Sequence, residues 1–253
     1  MKKILTFLLF ALFGLNIFAQ DKTYTEIAEL YGDAIVSINV AKKDGSAYSG
    51  TGFIINSDGF IATANHVIKE AIAVNCTFKN GVVSKEAKII AQNQQDTIDL
   101  AILKIPNTNL PHIIFGDSSQ VRAGQEITVI GNPRRLQNTI TNGLISQLRK
   151  ITPEVIWLQI SAPISPSSSG SPVFNKKGEV IGIVMSSLKG QENQNINFAV
   201  PSNYLLALTA QNNIPVSMGQ APIIKEKTLT EKIKDYLLRA WTILKEQISI
   251  IFN

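Results

Sequence analysis

The 253-residue chain has a single cysteine, two histidines and two tryptophans. A lone thiol at Cys76 cannot close an intrachain disulfide, and two histidines with one cysteine cannot assemble the usual Cys/His zinc cluster. Neither a disulfide framework nor a structural metal is therefore expected, and no motif calls for a cofactor. Charge of one sign is also scarce: the net charge is +5, and no dense run of Lys and Arg with interleaved aromatics marks a nucleic-acid surface. No repeat of fixed period runs along the chain. What is present is a hydrophobic fraction of 45% and a charged fraction of 17%, the composition of a folded globular protein with an ordinary core.

The longest apolar run stands at the start. Residues 1–19, MKKILTFLLFALFGLNIFA, place two lysines before the run and the small Ala19 after it, ahead of polar Gln20-Asp21. That is the pattern of a secretory signal peptide, with cleavage near Ala19. A retained membrane anchor is the alternative, since a run of this length almost spans a bilayer. Lys2 and Lys3 are its only charges, so its removal would leave a net charge of +3. No cysteine follows the run, which speaks against a bacterial-type lipid anchor. The expected product is exported, to a periplasm or outside the cell.

Beyond it, Thr23-Tyr24-Thr25-Glu26 has capping-box spacing, and Ile27, Leu30 and Tyr31 follow at helical spacing up to Gly32. From there to about residue 205 the chain reads as short Val-, Ile-, Thr- and Phe-rich runs separated by Gly, Asn, Asp and Ser. The runs are 34–40, 52–56, 71–78, 87–92, 100–105, 126–131, 155–161 and 179–186. Many short strands with turn signals between them imply an all-β sandwich or barrel. Asn56-Ser57-Asp58-Gly59 and Asn175-Lys176-Lys177-Gly178 carry hairpin turn chemistry. The expected organisation is a domain over 20–208, a Pro- and Gly-containing linker over 209–227, and a helix over 228–253. In that helix Leu229, Ile233, Leu237, Trp241, Leu244, Ile248 and Ile251 share one face. The face is expected to pack on the β domain or on a second subunit, membrane-surface contact being the alternative.

Three polar residues sit at strand-to-loop junctions: His66 in TATANHVIKEA, Asp99 in TIDLAILKI and Ser169 in SPSSSGSPVFN. Such positions let a rigid sheet present a side chain into a cleft. A hydrolytic serine needs a base within hydrogen-bond reach, and the base needs a carboxylate to fix its tautomer. These three supply those types, in the chain order His, Asp, Ser. The order excludes an α/β-hydrolase or a subtilisin arrangement, and no G-x-S-x-G elbow surrounds Ser169, which disfavours an esterase. Asp96 competes with Asp99 for the acid, and His112, in NLPHIIF, with His66 for the base.

The segments GTGFIINSDGFIATANHV, DLAILKI and PSSSGSPV together resemble the trypsin-like serine proteases of the HtrA/Deg type. GDSSQVRAGQEITVIGNP, EVIGI and NFAVPSN add to the likeness, which extends over about residues 30–208. The resemblance implies two packed six-stranded β-barrels of the chymotrypsin type with a cleft between them. His66 and Asp99 would come from the first barrel and Ser169 from the second. It selects Asp99, directly before Leu-Ala, as the acid, and it leaves His112 a structural or surface role. It also implies a serine endopeptidase acting on exported or unfolded polypeptides through an acyl-enzyme.

The chain departs from the family pattern in two places. Ser167 replaces a glycine whose N–H, with that of Ser169, would form the oxyanion hole, and Ser171 replaces a second glycine, as in related glutamyl endopeptidases. A side chain at 167 predicts a hole that is imperfect or forms only on substrate binding. The resemblance places the primary pocket between Pro163, Ile164 and Ser165 and Val184, Met185 and Ser186. No Asp or His occurs there, so a small or medium apolar side chain is expected in it, and the loop over 186–194 could shape or gate it. The PDZ domain of full-length relatives would need roughly 90 further residues, so regulation by that domain is expected to be absent. The C-terminal helix is then left as the contact for a partner or for a homo-oligomer. The alternative to an enzyme is a weak or inactive protease-like domain that serves as a peptide-binding or assembly module. Cys76 lies in a strand pattern and is expected to be buried and inert.

Overall fold

A computed structural model describes residues 21–93, 95, 97–132, 138–187 and 196–219. The expected signal peptide, the C-terminal helix, Asp96 and most of the loop over 186–194 lie outside the described residues. Helix α1 (Tyr24–Tyr31) opens with the reciprocal cap that its spacing implies. The Thr23 hydroxyl accepts the Glu26 N–H at 3.2 Å, and the Glu26 carboxylate accepts the Thr23 N–H at 2.7 Å. The Thr23 N–H, and with it the Thr23 hydroxyl, donate to the Glu26 carboxylate and hold it below its ordinary pKa. Ile27 and Tyr31 form the buried face, and the Tyr31 ring stacks on Phe174 with centroids 5.1 Å apart.

The first sheet comprises β1 (Ile35–Lys42), β2 (Ala47–Ile54), β3 (Phe60–Thr63), β4 (Ala71–Phe78), β5 (Val83–Ser84), β6 (Lys88–Gln92) and β7 (Ala101–Lys104), in the order β5-β4-β1-β2-β3-β7-β6. β5 and β6 are the two ends of one continuous segment over 83–92 that turns at Glu86, where φ is +59°. Its start pairs with β4 and its end with β7, and Ala87 between them donates its N–H to the Val74 carbonyl at 2.8 Å. That run therefore joins the two edges of the sheet and curls it into a barrel. Phe53, Ile54, Ile61, Ile102 and Leu103 on its strands are buried without exposure.

The second sheet comprises β8 (Ile114–Phe115), β9 (Glu126–Gly131), β10 (Thr139–Lys150), β11 (Ile156–Ile160), β12 (Pro172–Phe174), β13 (Val180–Ser187), β14 (Asn197–Pro201) and β15 (Ser217–Met218). Its order is β12-β9-β10-β11-β14-β13-β8-β15, and β12 also pairs with β13, so six strands close on themselves while β8 and β15 extend one edge. This is the expected double barrel of the chymotrypsin type. Both expected hairpin turns are present: Gly59 donates to the Asn56 carbonyl at 3.3 Å and Gly178 to that of Asn175 at 3.0 Å.

The domain boundary placed at Leu208 needs correction. Leu208 lies inside helix α3 (Ser202–Gln211), whose Leu205 and Leu208 are buried, Ile214 is 5% exposed, and β15 adds to β8. Residues 209–219, expected in the linker, are thus packed on the second sheet. The i, i+3 pair Leu205 and Leu208 is the signal that marks this helix.

Candidate active site

Strands β3 and β7 pair antiparallel with Thr63 opposite Ala101. That register brings the residues just after β3 beside those just before β7. A single helical turn, α2 (Asn65–Ile68), follows β3 and carries His66, and Asp99 lies two residues before β7. The Asp99 carboxylate engages His66 with both oxygens: one accepts the His66 backbone N–H at 2.7 Å and the other meets ring Nδ1. The Asp99 side chain is 11% exposed and that of His66 36%. In the tautomer that donates Nδ1–H to Asp99, Nε2 is the nitrogen left with a free lone pair.

Ser169 comes from the loop between β11 and β12, which β2 holds from across the interface. Thr51 N–H donates to the Ser169 carbonyl at 2.9 Å, and Thr51 Oγ1 donates to the Ser167 carbonyl at 2.8 Å. The fit tolerates no side chain at Gly170, where a Cβ would lie 2.1 Å from the Thr51 carbonyl and 2.5 Å from Thr63 Oγ1. Thr63 precedes His66 by three residues, so this contact seats the serine loop against the His66 turn. Gly50 is required for the same reason: a Cβ there would press on Val67 at 2.6 Å and on the Ser169 carbonyl at 3.2 Å. Ser169 Oγ makes no hydrogen bond to His66 among the described residues; such bonds commonly tighten only with substrate in place.

The backbone before Ser169 turns at Ser165-Pro166-Ser167-Ser168, with the Ser168 N–H on the Ser165 carbonyl at 3.0 Å. Proline second and positive φ third define a type II turn, and Ser167 has φ +74°. A non-glycine residue there stores roughly 1–3 kcal/mol. The left-handed conformation that a serine was expected to resist is adopted nonetheless, and the Ser167 hydroxyl meets Ser49 Oγ at 2.8 Å. Neither Ser167 nor Ser169 spends its N–H on a protein acceptor among the described residues.

Residues of the two expected walls, Pro163 and Met185, line different cavities among the described residues. Pro163 and Ser165, with Val129, Gly131, Thr139, Thr141 and Ser168, line a small cavity of about 70 Å³. Met185 instead joins His66, Asp99, Asn65, Lys69, Gln95 and Trp157 around a cleft of about 290 Å³. Val184 is fully buried in the core of the second barrel, and Ile164 packs against that core. Val184 faces the core, and Met185, at the bulge where β13 shifts register against β14, lines the cleft beside His66 and Asp99. The Ser186 side chain lies outside the described residues.

His112 makes its contacts elsewhere: its Nε2 is 3.1 Å from Ser217 Oγ, tying β15 to the segment before β8. Cys76 is fully buried, and burial pushes its thiol up to about 12. Sequence reasoning missed Ser49 and Thr51, which hold the serine loop, and Trp157 beside the acid. The polar Ser-Gly-Thr directly ahead of an apolar strand is the only sequence signal for the first two.

A family model of the trypsin-like peptidase domain matches residues 50–183. A probable periplasmic serine endoprotease, DegP-like, of Chlamydia muridarum is 37% identical over 161 residues, 62% of this chain and 32% of that protein. The putative serine protease HhoB of Synechocystis is 37% identical over 171 residues, 65% of this chain and 39% of that one. The chain thus spans about a third of the length of these relatives. Among solved structures, the serine endoprotease from Yersinia pestis superposes with a TM-score of 0.66 at 29% identity, covering 76% of this chain and 67% of that one. With its double barrel and a match over more than half of its length, the chain belongs to the trypsin-like peptidase family, among proteins of the HtrA/DegP kind.

Proposed function

We propose that the protein is a serine endopeptidase, with Ser169 as nucleophile, His66 as general base and then acid, and Asp99 as the group that fixes the imidazole. The observation that carries this reading is the two-point grip of Asp99 on His66 beside the serine loop. Ser169 Oγ attacks a peptide carbonyl, forming the C–O bond as its proton passes to His66 Nε2. The C–N bond then breaks as His66 returns the proton to the departing amine, and water, deprotonated by the same nitrogen, releases the acyl group. The N–H groups of Ser167 and Ser169 are the donors for the developing oxyanion. The periplasmic designation of relatives and the leader-like residues 1–19 support export, with exported or unfolded polypeptides as substrates. A small or medium apolar residue precedes the cleaved bond. The amphipathic pattern over 228–253 supplies a contact for a partner or a second copy.

The second reading, an unreactive peptide-binding module, draws on the missing bond between Ser169 Oγ and His66. Treatment of the purified protein with a fluorophosphonate, followed by peptide mass spectrometry, separates the two. Adduct at Ser169 that vanishes in Ser169→Ala and His66→Ala supports the peptidase; a folded protein that takes no label refutes it.

A further inference from the structure

A serine in the left-handed region is out of place unless something holds it there. Ser167 sits at φ +74° as the third residue of the Ser165–Ser168 turn. A type I turn would relieve the strain, because its third residue takes φ near −90°. The change rotates the peptide between Pro166 and Ser167 by roughly 150° about its flanking bonds, since the second residue's ψ moves from about +120° to about −30°. The Ser167 N–H would then leave the face it now occupies. Relief of strain and loss of one oxyanion donor are the same motion.

Two groups on β2 oppose that motion. Thr51 Oγ1 donates to the Ser167 carbonyl at 2.8 Å, which fixes the peptide after Ser167. No hydrogen bond among the described residues fixes the peptide before it. Ser49 Oγ lies 2.8 Å from Ser167 Oγ, and the bond spans the two barrels between residues 118 apart in sequence. This bond anchors the side chain whose presence creates the strain, and it can form only because residue 167 has a hydroxyl. Ser49 sits one residue before Gly50, whose missing side chain lets β2 approach Val67 and the Ser169 carbonyl. The strand that presses on the nucleophile loop therefore delivers the Ser49 hydroxyl to Ser167.

We infer that Ser49 is a positioning residue that holds Ser167 in the left-handed conformation and so keeps the oxyanion donor in place without a glycine. The inference rests on the peptidase reading above. An oxyanion donor acts more strongly in the transition state than on bound substrate, so its displacement lowers kcat and leaves KM nearly unchanged. Losing one hydrogen bond that opposes this strain shifts the turn population by about five- to tenfold.

The test is a four-protein cycle: wild type, Ser49→Ala, Ser167→Gly and the double variant, each assayed for kcat and KM on an unfolded protein substrate and for melting temperature. Ser49→Ala is expected to lower kcat about five- to tenfold with KM within twofold. Adding Ser49→Ala to Ser167→Gly is expected to change kcat by less than twofold, because glycine accepts φ > 0 at no cost. An unchanged kcat in Ser49→Ala, or the same fractional loss in both backgrounds, overturns the proposal. If the wild type neither cleaves nor takes label at Ser169, the peptidase reading fails first. The melting temperatures then decide the pairing alone: shifts that add across the cycle overturn it, and a non-additive cycle supports it.

Discussion

Trp157 donates its indole N–H to the Thr97 carbonyl at 2.8 Å, from β11 of the second barrel to the turn that carries Asp99 in the first. Its ring also packs on Phe198, with centroids 5.5 Å apart, and lines the cleft beside His66 and Asp99. The turn that carries Asp99 is thus steadied by a residue of the barrel that carries Ser169. Trp157→Phe keeps most of the apolar contact and strands the Thr97 carbonyl, at a cost of about 1 kcal/mol. Expected outcomes are a melting temperature lower by about 2–4 °C and a kcat/KM lower by about three- to tenfold through a less rigid Asp99. Steady-state kinetics beside thermal unfolding check both, and unaltered kinetics would show that Trp157 serves the fold alone.

Ser171 is fully buried and its hydroxyl has no hydrogen-bond partner among the described residues. It occupies the space that Gly131 leaves, where a Cβ would lie 2.2 Å from its oxygen. Ser171→Ala removes an unpaired buried hydroxyl and keeps the volume of Cβ. The variant is expected to be more stable by about 1 kcal/mol, read from urea unfolding midpoints. A loss of stability would mean that the hydroxyl is paired in solution.

Asp117 accepts from Asn203 Nδ2 at 2.9 Å and from the Ser119 N–H at 2.9 Å, and these bonds, with that to Asn203 the strongest, lower its carboxyl to about 2. A depressed folded pKa means that the contribution is complete above the unfolded value of about 4 and is lost as pH falls toward 2. The group is exposed, so the effect is under about 1 kcal/mol. Wild type is expected to be slightly more stable than Asp117→Asn at pH 7, with the gap closing between pH 4 and pH 2. A gap of constant size across that range would contradict the assignment.

Cys76 combines full burial with a thiol raised to about 12. Iodoacetamide at pH 8 is expected to modify it only as fast as the barrel opens, and promptly in denaturant. Rapid alkylation of the native protein would place the side chain at the surface.

The parts legible in the sequence are those that local chemistry dictates. The runs at 71–78 and 126–131 coincide with β4 and β9 residue for residue, because Val, Ile and Phe crowd them. The longest strand, β10, was not marked by the same signal. In TITNGLISQLRK only Ile145 is fully buried, and Gly143 yields its side-chain space to Ala162, whose N would lie 2.4 Å from a Cβ. Similarly, His66, Asp99 and Ser169 stand out because few residue types support that chemistry. Ser49 and Thr51 do not, since their contacts to Ser167 arise only when residues 118 and 116 positions away are folded against them.

The earliest described residues have their seat more than 150 positions further along the chain. Lys22 donates its N–H to the Lys176 carbonyl at 2.7 Å and its ammonium to that of Lys177, 155 positions later, at 3.0 Å. A ribosome delivers the amino end first, so during synthesis this segment has nothing to dock on until the β12–β13 hairpin has emerged. The Tyr31 ring, which rests on Phe174, stays bare for the same interval. Closure of the amino-terminal segment therefore waits for the β12–β13 hairpin, and its protection from proteolysis marks the moment at which that hairpin is in place.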